Sequence, residues 1–227
     1  MTINTLTVKN IVEFRRFSER SKVTFVNNLK IPKKPKLDDN SGGDYWIRSI
    51  SGLSNAFKNN DNKLIQEKID AVSSLYDSTK IESTKTMYKR NLEILHNYID
   101  FDFSTWLPPT DLQFLGKPKI ILTIKDIPIQ VIPHHVFSYE DKEEPSVGGI
   151  WFVTWLNGFK SEDLGIYSEA IFRYLSLLYS DEYKVNPNYC LTVDTLGMKT
   201  VNYDQVLRGK VPPLLEATID TLNKYLS

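Results

Sequence analysis

The sequence holds a single cysteine, Cys190, so no disulfide can form within the chain. That cysteine sits in an apolar, strand-like run, which fits a buried structural thiol better than a nucleophile. No stretch approaches the ~18 consecutive apolar residues of a membrane span. The opening MTINTLTVKN also lacks the apolar core of a secretory signal. A cytoplasmic chain without membrane contact is therefore expected. Neither sign of charge dominates: 28 Lys and Arg residues cancel 28 Asp and Glu residues, so no global field draws the chain to nucleic acid or anionic lipid. The motifs G-x-S-x-G, Walker A, C-x-x-C and H-E-x-x-H are all missing. Tetrahedral metal sites need three or four converging ligands, and with only three histidines and one cysteine no metal and no cofactor is expected.

What is present is an ordinary globular composition, with 41% hydrophobic residues over 227 positions, enough to fill a core. That length fits one domain, or a helical part fused to a sheet-containing part. The charge is unevenly spread. Residues 1–36 carry nine basic side chains against two acidic ones, whereas residues 137–170 carry seven acidic against two basic. Solvated surfaces of opposite sign account for this. So does a basic arm, with Arg15, Arg16, Arg20, Lys33 and Lys34, that contacts phosphates or an acidic partner.

The spacing of Ile11, Phe14, Phe17, Phe25 and Leu29 predicts one helix over 8–29, ended by Pro32 and Pro35. A polar loop follows from Asp38 to Gly43. Asp44 then caps a helix to Lys58, and two more helices follow, around Leu64–Leu75 and over Glu82–Asp100. After Pro108-Pro109 the pattern changes. KIILTIK (119–125), IQVIPHHVFSY (129–139) and GGIWFVTWL (148–156) read as strands. Ser161 caps a helix to Tyr179. Strands Tyr189–Leu196 and Lys199–Tyr203 come next, and a last helix runs over Leu214–Leu226. The expected class is α+β: a helical region over 1–110, then a βββαββα unit with a mixed sheet over 111–227. Strand 148–156, the helix and strand 189–196 form a crossover long enough to make the two strands parallel neighbours.

That order resembles the core of the PD-(D/E)XK nuclease superfamily over about residues 82–205. In that fold a helix precedes a three-stranded meander, and a crossover helix leads to a parallel strand. An Asp after a Pro on the second strand, and acid-x-Lys on the third, converge on Mg²⁺ and a water. The chain is also similar to a group of uncharacterised bacterial proteins that share an Asp44-Tyr45-Trp46 segment, a Pro-containing strand and a Gly-Gly-Ile strand. Matched to the nuclease motif, Pro133 is kept, but His134 and His135 stand at the Asp. Gly149 replaces the acid and Trp151 the lysine. The resemblance thus implies the scaffold without its hydrolytic site.

Read apart from that resemblance, His134, His135 and Asp194 are the candidate catalytic residues. His134 and His135 are adjacent on a strand and face opposite sides, so they cannot clamp one metal together. Trp151 and Trp155, four apart on one strand, are core aromatics or, if their face is open, a stacking surface. Three readings follow. The first is a non-catalytic nuclease-like domain contacting nucleic acid, in a bacterial defence or mobile-element setting. The second is a protein-interaction module: an immunity, inhibitor or accessory factor. The third is an enzyme with an unfamiliar site. The partner is then nucleic acid or another protein, and an enzymatic role is the less expected outcome.

Overall fold

The computed structural model describes residues 3–31 and 45–227. The predicted stop at Pro32–Lys36, the loop at Asp38–Gly43, the Asp44 cap and the candidates Lys33 and Lys34 lie outside the described residues.

The architecture is mixed α+β, with two mixed sheets. The larger has the order β2 (Gln113–Phe114), β5 (His135–Asp141), β6 (Glu144–Val153), β7 (Lys184–Asp194), β8 (Lys199–Asn202). Only β6 and β7 are parallel, and α6 (Ser161–Tyr179) connects them, as the crossover argument predicts. The smaller sheet has the order β1 (Leu6–Thr7), β4 (Ile127–Gln130), β3 (Ile121–Ile124), with β1 parallel to β4.

Helices cover both faces of the large sheet. On one side lie α3 (Ile47–Asn59), α4 (Lys63–Ser78) and α5 (Glu82–Asn97), which share a core with Phe137, Ile150, Phe152, Leu191 and Val193. On the other side α1 (Val8–Arg16), α6 and α8 (Leu215–Leu226) share a core with Val147, Val153, Cys190 and the small sheet. Burial on both faces explains why GGIWFV reads as an unbroken apolar run rather than an alternating one. Gly148 sits where the β6–β7 register shifts, and a Cβ there would meet the Cβ of Tyr189 at 2.7 Å. Any side chain at this position would push the two parallel strands apart.

Several predicted elements are corrected. The helix expected over 8–29 is two: Ser18 leaves helical geometry and caps α2 (Glu19–Leu29), its Oγ accepting from the Ser21 N–H at 3.3 Å. The strand expected over 129–139 is also two, and they belong to different sheets. Pro133 has no N–H to place in a ladder, and the chain changes sheet there. The strand predicted at 119–125 accordingly joins the small sheet rather than the large one. Ser161 is the first residue of α6 and not its cap. That function falls to Asp163, whose carboxylate accepts the Lys160 N–H at 2.9 Å. The strands β1 and β2, and the short α7 (Tyr203–Leu207), were not predicted.

Both tight hairpins turn through two non-glycine residues in the left-handed region. Lys125 and Asp126 have φ of 49° and 66°, and Lys142 and Glu143 have φ of 52° and 67°. This is the geometry for which Asn-Gly is the natural sequence. Changing Lys142-Glu143 to Asn-Gly should stabilise the fold by about 1 kcal/mol, raising Tm by about 2–4 °C for a chain of this size. A thermal melt with an unchanged or lower Tm would show that the turn carries no such strain.

Candidate functional site

The two positions that the sequence resemblance matched to an acid and a lysine, Gly149 and Trp151, lie on the α6-facing side of β6. A Cβ at Gly149 would meet Ile171 Cγ2 at 3.2 Å and Leu175 Cδ1 at 3.7 Å, both from α6. Trp151 packs edge-on against Tyr167 of the same helix, ring centroids 5.2 Å apart. The opposite face of β6 is also packed, with Phe152 against Phe57 at 6.0 Å and Trp106 at 5.9 Å.

The two histidines enter β5 together and point to different neighbours. His134 donates its backbone N–H to the Ile150 carbonyl at 2.8 Å, and its Nδ1 accepts the Phe152 N–H at 3.1 Å. Its carbonyl accepts from the Lys117 ammonium at 2.5 Å. With Nδ1 an acceptor, the ring proton is assigned to Nε2. His135 Nε2 lies 2.9 Å from the Ser54 carbonyl and 2.7 Å from Ser54 Oγ, and its ring stacks on Phe57. Burial pushes the pKa of His134 down to about 4, helped by His135 and Lys117. Burial does the same to His135, also to about 4, with Lys117 and Lys58 adding to it against the Ser54 hydrogen bond. Two neutral imidazoles thus pin the start of β5, one to β6 and one to α3.

Asp194 is 1% exposed and ends β7. Its carboxylate accepts the Gly197 N–H at 3.1 Å and the Phe159 N–H at 3.5 Å, which fixes the turn into β8. No hydrogen bond among the described residues joins it to either histidine. Nor does any group of three or more His, Cys, Asp or Glu there have the geometry of a metal site.

The basic candidates separate. Arg15 and Arg16 both donate to the carboxylate of Asp163, which is fully buried. Arg16 also donates to the Gly158 carbonyl at 3.0 Å and lies over the Trp155 ring at 4.3 Å. Burial raises the pKa of Asp163. The hydrogen bonds from Arg16, Arg15 and the Lys160 N–H outweigh that effect and hold the carboxyl below its usual range. Arg15, Arg16 and Trp155 therefore form one internal knot that ties α1 to the start of α6. Arg20 is exposed on α2. Nothing local to Asp163 in the sequence signals two arginines from the other end of the chain.

Two hollows lie at opposite ends of β6. A small one of about 200 Å³ is lined by His134, Trp151, Thr154, Lys9 and Tyr167. A much larger groove, about 1060 Å³, runs along the edge of the large sheet between residues 110–113 and the end of β5. Its carboxylates Asp111, Glu140 and Glu143 face a single ammonium, that of Lys142. None of the groove residues was singled out from the sequence. No helix among the described residues is long and apolar enough to cross a membrane. No family model, curated protein or solved structure matches the chain significantly.

Proposed function

We propose that this chain is a non-catalytic binding domain on a nuclease-like layout, and that what it binds is protein. The observation that carries the reading is the make-up of the α6-facing side of β6: Gly149 lies under Ile171 and Leu175, and Trp151 packs against Tyr167, so neither position offers a carboxylate or an ammonium to a metal ion and a phosphate. With the β3–β4 hairpin of the small sheet inserted between β2 and β5, the order α5, β2, β5, β6, α6, β7 supports the layout, being a helix, three antiparallel strands, a crossover helix and a parallel strand. Protein is favoured over nucleic acid because two of the expected phosphate-binding arginines are engaged by Asp163 and Glu162, and carboxylates outnumber ammonium groups along the large groove.

The test is to incubate the chain with duplex and single-stranded DNA and RNA, with Mg²⁺ or Mn²⁺, and to measure binding between about 50 and 200 mM salt. No cleavage and no salt-sensitive binding are expected. Metal-dependent cleavage would refute the non-catalytic reading. A steep fall of affinity with salt would make nucleic acid the ligand instead.

A further inference from the structure

We infer that the free edge of β5 beside the large groove is a strand-addition site for an extended peptide bearing basic side chains. This inference rests on the protein-binding reading above.

The register makes the case. Leu115 donates its N–H to the Val136 carbonyl at 2.8 Å, so 115 and 136 are a hydrogen-bonded pair. In an antiparallel ladder such pairs recur at every second residue. Gln113 and Ser138 are the next pair, and the following one would be Asp111 with Glu140. β2 ends at Gln113, however, and residues 110–112 leave the ladder. On its inner side Glu140 faces Pro145, which has no N–H to offer. The N–H and C=O of Glu140 therefore point outward into the groove, with no strand to receive them. A sheet edge left open in this way is a template for another chain.

Chemistry selects the occupant. Backbone groups of Glu140 recognise an extended main chain of any sequence. The exposed carboxylates of Asp111, Glu140 and Glu143 then favour lysine or arginine at alternate positions, because side chains on one face of a strand recur every second residue. Tyr183 offers an aromatic wall for an apolar residue between them. At about 1060 Å³ the groove is at the large end of ligand-sized hollows and is open along its length, as a strand requires.

The experiment uses the full chain and three short synthetic probes: a peptide alternating lysine and valine, its glutamate–valine counterpart, and the lysine–valine peptide N-methylated at alternate amides. Amide hydrogen exchange at Glu140 and fluorescence anisotropy are the readouts. The lysine–valine peptide should slow exchange at Glu140. Asp111→Lys with Glu140→Lys, both on the surface, should weaken its binding about tenfold, and N-methylation should remove it. The inference fails if the lysine and glutamate peptides bind alike, or if neither slows exchange at Glu140. Failure here with no nuclease activity and no nucleic-acid binding would reject the edge and leave the protein-binding reading standing. Metal-dependent cleavage would reject that reading itself.

Discussion

Asp163→Asn is expected to cost about 3–5 kcal/mol of folding stability, the largest effect of any single polar substitution in this chain. The carboxylate is fully buried, while the Arg15 and Arg16 side chains retain 23% and 22% exposure. Asparagine keeps the shape and can still accept the Lys160 N–H. It brings no charge to set against the two guanidinium groups, of which Arg15 keeps Glu162 at 3.7 Å while Arg16, over the Trp155 ring, keeps no carboxylate. Removing one member of a buried ionic cluster leaves uncompensated charge, which costs far more than the cluster contributed. The first turn of α6 also loses the anion that its N-terminal N–H groups favour. Water reaching the two arginines moves the expectation toward the lower end of the range. Urea denaturation gives the comparison. The exposed Lys184–Glu144 pair, with side chains 69% and 59% exposed, is the control: breaking it should leave the urea midpoint nearly unchanged. A similarly small change for Asp163→Asn would mean that the knot does not hold α1 to α6.

Acid should weaken the fold through the two buried histidines, and His134 shows how. The ring is buried and has a folded pKa of about 4, against 6.5 in the unfolded chain. Between those values the unfolded state takes up a proton that the folded state refuses. The contribution of His134 is therefore fully present above about pH 6.5, and falls as the pH drops toward 4. The full loss is about 3 kcal/mol. The lowered carboxyl of Asp163 acts only at still lower pH, and the raised Glu169 works in the opposite direction. His134→Asn preserves an acceptor for the Phe152 N–H and removes the titration. Its unfolding free energy should vary roughly half as much between about pH 6.5 and 4 as that of the parent chain, because His135, depressed in the same way, still titrates there. Parallel curves for the two proteins would show that His134 is protonated in the native state without penalty.

The crossover was legible because each of its signals is strong and local. Apolar runs bounded by turns and a helical stripe from Leu164 to Leu178 leave one plausible arrangement, and β6, α6 and β7 adopt it. Elsewhere a local signal was overruled. The apolar spacing of Phe14, Phe17 and Phe25 runs straight across Ser18, so periodicity gave no sign of the break that the Ser18 cap makes. The continuous β-like run through Pro133 concealed a change of sheet. The two-residue strands β1 and β2 are too short for any alternation to be seen, and they exist only because β4 and β5 offer them an edge. The site was less legible than the fold. Sequence placed Gly149 and Trp151 on one face of a strand, but did not show that α6 lies above them. The partners of Asp163 are 148 and 147 residues away, beyond the reach of any spacing rule.

The same long separations govern how the chain assembles. β1 pairs with residues 129–130, Arg15 and Arg16 wait for Asp163, and Phe14 packs against Tyr225 of α8. During synthesis, at about 5–20 residues per second, α1 must spend on the order of ten seconds without its contacts to Asp163 and Tyr225. Its apolar stripe of Val8, Ile11, Val12 and Phe14 is uncovered for that time. Refolding in vitro should likewise be governed by a late docking step with high contact order, in which the first helix is the last to settle.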